Sequence, residues 1–335
     1  MALFKRKPSP EPPAAVPAST EGVFEEIHRL TAQWRQRPDR ETERRLLRLR
    51  HLAGVRRVEA AEGTRDYAAP DAAALPARDG LPEIAGAALT PGLLRAGILR
   101  DGCVLVRGLV PRAEALGLAA EIDRAFAERD ASEPADGYYE EFAPEPPFEV
   151  VERPWVEQGG GVLAADAPML ACRMLDLFEQ AGVPRLVEGY LGEPGLLSVQ
   201  KTTLRRADPS LGGAWHQDGA FMGDTRALNL WLSLSRCGDE APGLDLVPRR
   251  LDEIVIEHEA MLFVDLTRER AREAAAAGGV EIVRPIFEPG DALFFDEMFL
   301  HQTASDPSMP NPRFAVESWF FGAHGFPAEY APLAV

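Results

Sequence analysis

The chain has 335 residues, 46% of them hydrophobic, enough to build the core of one large domain or two small ones. Its formal charge of -17 is uneven: residues 1–66 carry 14 Lys and Arg against 10 Asp and Glu, and the remainder carries 22 against 43. An acidic body argues against nucleic acid as a partner, and three widely spaced cysteines, Cys103, Cys172 and Cys237, argue against a disulfide framework or a CxxC zinc site.

Residues 1–20 begin with Lys5-Arg6-Lys7 and turn to Pro, Ala, Ser and Glu without the apolar core of a signal peptide, and read as a disordered tail. Over 21–66, Val23, Ile27, Leu30 and Trp34 recur at helical spacing before Pro38, and Leu46, Leu47, Leu49 and Leu52 follow in an Arg-rich stretch. A helical hairpin is expected, with Arg44, Arg45, Arg48 and Arg50 either solvated or facing an acidic partner. The Ala- and Pro-rich residues 67–89 read as a linker or wrapping segment, and 90–335 as the main domain.

The main domain opens with a helix over 91–99, a buried strand over 102–108 and a helix over 112–128. Residues 133–162, dense in Pro, Gly, Glu and aromatics, form either a lid or an extended surface loop. Helices over 167–180 and 184–191 follow. Strands are then expected over 196–204, 214–218, 227–234, 244–247, 281–286, 292–295, 299–303 and 314–321, interrupted by a helix over 266–277. Many short strands between Gly and Pro turns make the fold mainly β with flanking helices, a jelly roll or related barrel. No run approaches the roughly 18 apolar residues of a membrane span. A soluble, cytoplasmic chain is expected, and its oligomeric state has no signature in the sequence.

The chemistry concentrates at Trp215-His216-Gln217-Asp218, where an imidazole and a carboxylate two residues apart share a face if 214–218 is a strand end. His301, after the turn Pro289-Gly290-Asp291 and a buried strand, supplies a third ligand. Two histidines and one carboxylate hold Fe(II) on one face of an octahedron and leave the opposite positions open, which makes a reactive site. A lone His-x-Asp is more often a surface pair or a hydrogen-bonded core histidine. Here the turn-like Ser210-Leu211-Gly212-Gly213 before it, and His301 after it, favour the metal. Arg313 follows across a Pro-rich turn: if 306–312 closes a hairpin centred near residue 308, His301 faces residue 315 and Arg313 lies two residues, about 7 Å, along. That is about the reach of a five-carbon dicarboxylate, whose far end the planar guanidinium fork suits better than Lys. His28, His51, His258 and His324 have no partner at ligand spacing and read as surface or hydrogen-bonded residues, with His324 alone placed to touch a substrate. Cys237 reads as packing, since no histidine is placed to activate it.

His216-Gln217-Asp218, the distal His301, Arg313 twelve residues on and the strand Asn229-Leu230-Trp231 resemble the phytanoyl-CoA dioxygenase family of Fe(II)- and 2-oxoglutarate-dependent oxygenases. Gly102 to Gly108 followed by Val110-Pro111 and a helix, and the turn Gly243 to Pro248, extend the resemblance over about residues 90–322. It implies a double-stranded β-helix, with His216, Asp218 and His301 on iron and 2-oxoglutarate paired with Arg313 through its far carboxylate. It also implies Trp231, Thr202 and Ser318 as cosubstrate contacts, and O2 as the oxidant that converts 2-oxoglutarate to succinate and CO2. Related halogenases lack a carboxylate at the position of Asp218, so its presence favours hydroxylation, desaturation or ring chemistry. The family often continues Val-Pro with Gly-Ser-His, whereas here Pro248 is followed by Arg249-Arg250-Leu251, which leaves the role of that loop open.

A coenzyme A thioester would bring several phosphates to an acidic body, so a small neutral or cationic metabolite is the expected substrate. Two other readings fit the same residues. One is a non-catalytic barrel that binds metal and 2-oxoglutarate; the other is a cupin-like metalloenzyme of non-oxidative chemistry, which would not need Arg313.

Overall fold

The computed structural model describes residues 17–76, 80–131, 137–151, 153–222, 225–257 and 266–335. Most of the expected tail, and His258, lie outside them. The helices are α1 (Thr20–Gln36), α2 (Arg40–Glu59), α3 (Pro91–Asp101), α4 (Arg112–Arg129), α5 (Arg153–Gln158), α6 (Pro168–Gln180), α7 (Val183–Leu191), α8 (Gly219–Met222) and α9 (Arg268–Ala277). The strands are β1 (Glu83–Ala85), β2 (Cys103–Arg107), β3 (Gly161–Leu163), β4 (Gly195–Ala207), β5 (Ala227–Ser233), β6 (Gly243–Leu246), β7 (Ala292–Asp296), β8 (His301–Ala304), β9 (Arg313–Gly322) and β10 (Pro332–Ala334).

Ser19 and Asp39 cap α1 and α2 by accepting from the backbone N–H groups of Gly22 and Thr42. The helices then pack Val23, Ile27, Leu30 and Trp34 against Leu46, Leu49 and Ala53, with Leu196 and Ala334 of the sheet in the same cluster. Two polar side chains of α2 reach the last strand: Arg50 Nη1 donates to Ala334 O (3.0 Å), and His51 Nδ1 lies 2.9 Å from Pro332 O. Two of the exposed-side arginines of this hairpin are engaged within the chain: Arg44 pairs with Glu140 and Arg45 with Glu26 (2.6 Å). Within 67–89, Ala68 N donates to Gly189 O and Asp71 N to Gly92 O, and β1 runs parallel to β2 at the edge of the main sheet.

The main sheet runs β1-β2-β7-β5-β9-β4-β10, with β3 also on β4. Along β5 and β9 successive side chains alternate between two apolar clusters, as strand geometry requires. Leu228, Leu230, Leu232, Val316 and Phe320 pack under the helices; Ala227, Trp231, Ala315, Trp319 and Phe321 point into the barrel. Facing them is a small sheet of β6 and β8, widened by single bridges Trp215↔Leu266, His216↔His301 and Leu246↔Val283. This is a double-stranded β-helix, mainly β with flanking helices.

Three local expectations are corrected. Residues 214–218 are not a strand: ladder contacts stop at His216, and after Asp218 the chain turns into α8. Residues 281–286 touch the sheet only at Val283, since Pro285 has no N–H with which to continue a ladder. No hairpin joins His301 to Arg313, because β8 pairs with β6 in the small sheet whereas β9 pairs with β4 and β5 in the large one. The Pro-rich turn therefore carries the chain from one wall of the barrel to the other.

Candidate metal centre

His216 and His301 come together through a two-way backbone bridge: His216 N donates to His301 O (3.0 Å) and His301 N to His216 O (3.1 Å). Their ring centroids lie 4.6 Å apart. Each ring is also oriented by its own chain, since His216 Nδ1 lies 2.8 Å from Ala214 O and His301 Nδ1 lies 3.1 Å from Phe299 O. An Nδ1–H donated to a carbonyl leaves the Nε2 lone pair for a metal. Both Nε2 atoms face one carboxylate oxygen, Asp218 Oδ2, at 3.9 Å from His216 and 3.8 Å from His301. These separations are too long for hydrogen bonds. The three ligand atoms all lie within 4.8 Å of one another, a spacing that fits a shared ion. Phe295 and Phe299 wall His301, with Phe299 stacked on the imidazole at 5.9 Å and 14°. Burial first, and then the neighbouring His216, lower the His301 pKa to about 4, so the ring is held in the neutral form that ligation requires.

Gln217 holds the turn between the two ligands. Its side chain donates to Glu253 O (3.2 Å) and Met298 O (2.8 Å) and accepts from Val255 N (2.8 Å). Gly219 follows where the backbone crosses Glu297: its N–H donates to Glu297 O at 2.7 Å, and a Cβ would sit 2.9 Å from that oxygen. A side chain at 219 would push the Asp218 backbone off its position.

Arg313, on the opposite wall, lines a cavity of about 230 Å³ together with His216, His301 and Trp231. It is 2% exposed and has no carboxylate partner among the described residues. Its Nη1 donates to Gly243 O (3.1 Å), its Nε has no partner, and its Cζ lies 5.4 Å from the Trp231 ring. Burial lowers its pKa to about 10. A desolvated guanidinium across a cavity from three metal ligands fits the far carboxylate of a chelating 2-oxo diacid.

Thr202 and Ser318 do not belong to this cavity. They are register partners across β4 and β9, and they point to the helix-covered face with their neighbours Leu204 and Val316. The inner face carries Lys201, Thr203 and Arg205 of β4 with Glu317 and Trp319 of β9. Arg205 Nε pairs with Glu317 (2.9 Å). Burial tends to raise the Glu317 pKa, but Arg205, His301 and Lys201 together keep it lowered. The aromatic-rich segment supplies Trp155 and Val156 of α5 to the same wall.

The loop that departs from the family pattern turns its arginines elsewhere: Arg249 Nη1 donates to Gly278 O (2.6 Å), and Arg250 pairs with buried Asp296, which also accepts from Tyr190 (2.9 Å). His324 pairs with Glu193 (2.5 Å) and lies outside the metal cavity. Cys237 is buried, its pKa pushed up to about 11 by burial, which is no nucleophile.

A double-stranded β-helix with two histidines and a carboxylate gathered at one end defines a non-haem metal enzyme with open coordination positions. The phytanoyl-CoA dioxygenase profile matches residues 98–309, and the chain belongs to that family of Fe- and 2-oxoglutarate-dependent oxygenases. Among solved structures, EctD from S. alaskensis with 2-oxoglutarate and 5-hydroxyectoine is similar at 18% identity and TM-score 0.52, over 79% of this chain and 85% of that one. The epimerase SnoN in complex with Fe3+, alpha ketoglutarate and nogalamycin RO gives 19% and 0.47 over 69% and 83%. AviO1 from Streptomyces viridochromogenes Tue57 gives 18% and 0.45 over 74% and 99%. No curated protein matches. No described helix is long and apolar enough to cross a membrane.

Proposed function

We propose that the chain is an Fe(II)- and 2-oxoglutarate-dependent dioxygenase of the cytoplasm that hydroxylates an unactivated C–H bond of a small metabolite. The balance is substrate C–H, 2-oxoglutarate and O2 giving substrate C–OH, succinate and CO2. Bound iron supplies the activation of O2, and the chain's own residues do the rest. His216, Asp218 and His301 hold the ion, Arg313 anchors the far carboxylate of 2-oxoglutarate, and Trp231 packs beside that guanidinium. The observation that carries this reading is Arg313: a buried cation with no carboxylate bonded to it among the described residues, lining the same cavity as His216 and His301. A cupin-like enzyme of non-oxidative chemistry has no use for it.

The test is succinate formation when the Fe(II)- and 2-oxoglutarate-loaded protein is exposed to O2. Slow, iron-dependent release of succinate that disappears in Asp218→Ala is expected. Release that is the same with and without iron would rule the reading out.

A further inference from the structure

Beside the cavity that holds Arg313 lies a second one of about 190 Å³, which shares His216, Arg205 and Glu317 with it and adds Asp218. Its polar wall is the inner face of β4 and β9. Two polar atoms on that wall are buried without a hydrogen-bond partner: Thr203 Oγ1, on a residue 4% exposed, and Trp319 Nε1, on a residue 1% exposed. A buried polar atom left unmatched costs about 1–3 kcal/mol, so an unmatched pair beside a metal site marks the place of a bound group. The indole N–H can only donate, and the threonine hydroxyl can donate.

The charges on the wall have the same bias. Asp218 is committed to the metal, and Glu317 is held by Arg205. Lys201 and Arg205 are the cations of this wall, and Lys201 Nζ also lies 5.9 Å from the centre of the Tyr330 ring. Trp155 gives the cavity an apolar side. Donors and positive charge on one wall, an apolar surface on another and metal ligands at the end recognise an oxyanion attached to a carbon skeleton.

We infer that the substrate is a small carboxylic acid, its carboxylate received by Thr203, Trp319 and Lys201 and its carbon chain directed at the metal. This assignment rests on the oxygenase reading above. It reverses the expectation of a neutral or cationic substrate, because the -17 charge of the whole chain does not describe this wall. Long-range charge steers encounter, whereas the donors within hydrogen-bond reach decide what stays bound.

The experiment titrates anaerobic protein loaded with Fe(II) and 2-oxoglutarate with butanoate, cyclohexanecarboxylate and phenylacetate, and with their primary amides. The readout is the change in the visible absorption of the iron chelate. At least one acid should perturb the band, at concentrations about tenfold or more below its amide. Thr203→Val, Trp319→Phe and Lys201→Met should each weaken the response to that acid by about tenfold while 2-oxoglutarate still forms the chelate. Amides acting as well as acids, variants responding like the parent, or an intact chelate band that no acid disturbs would each overturn the assignment. A missing chelate band, seen before any acid is added, fails the oxygenase reading itself.

Discussion

Replacing Arg313 by Met separates function from stability in a way that few buried residues allow. Burial lowers the Arg313 pKa from 12.5 to about 10. At about 1.4 kcal/mol per pKa unit, the charge costs the ligand-free fold about 3 kcal/mol. Met fills similar space without that cost but gives up the charged hydrogen bond to Gly243 O, worth about 1.5–3 kcal/mol. The two nearly offset. Arg313→Met is expected to change metal-free stability by less than about 2 kcal/mol, and not to lower it, where truncating a side chain this buried ordinarily costs about 2–5 kcal/mol. The bound diacid tells the opposite story. Losing one partner of a desolvated charge pair costs about 2–5 kcal/mol, which is roughly 30-fold to several thousand-fold in affinity. Urea denaturation of the metal-free proteins and anaerobic titration of 2-oxoglutarate into the Fe(II)-loaded proteins measure the two halves. A destabilised variant that still binds 2-oxoglutarate normally would refute the reasoning, since Arg313 would then be a structural residue.

Three further outcomes are expected. His301 is neutral in both folded and unfolded states above pH ~6.5, but as pH falls toward 4 the unfolded chain takes a proton that the folded chain refuses. Metal-free stability should therefore fall by about 2–3 kcal/mol more between pH 7 and 4.5 in the parent than in His301→Asn, by urea denaturation at both values; equal losses would contradict the buried neutral imidazole. Gln217→Leu deletes three hydrogen bonds that brace the ligand turn, and should lower stability by about 2–3 kcal/mol and weaken Fe(II) binding in an equilibrium chelator competition; unchanged iron affinity would show that the turn holds itself. Trp34→Ala removes an α1 side chain that packs in the core and donates to Glu43 Oε1 at 2.9 Å, and should cost about 3–5 kcal/mol in one cooperative transition. A separate early transition would show the helical hairpin unfolding alone.

Elements set by local pattern were legible in the sequence. The helices over 91–99, 112–128, 167–180 and 184–191 follow from apolar spacing and turn residues, as do the strands over 227–234, 292–295 and 314–321, each matching an observed element to within a few residues. That His216, Asp218 and His301 come together was legible only from their combination with the turns before His216 and before His301, since His-x-Asp alone is a weak signal. The failures concern what local pattern does not encode. Which strand pairs with which is a long-range choice, so the sequence spacing suggests a hairpin with His301 while Arg313 reaches the cavity from the other sheet. Ser318 was avoidable: it lies five residues beyond Arg313 on one strand, and an odd separation puts the two on opposite faces. The same parity, applied from Arg313, would have pointed to Glu317 and Trp319. The β4 wall was harder, because a bulge between Leu197 and Thr202 resets the register before Thr203. The bracing role of Gln217 carries no sequence signal, since its partners, at 253, 255 and 298, are distant in sequence.

The most direct test adds Fe(II) and then 2-oxoglutarate to the apo-protein without oxygen and looks for the weak visible charge-transfer band of the chelate. A band is expected in the parent, none in His216→Ala, and in Arg313→Met one that needs far more 2-oxoglutarate. No band in the intact protein would contradict the account and move the weight to a barrel that does no oxidative chemistry.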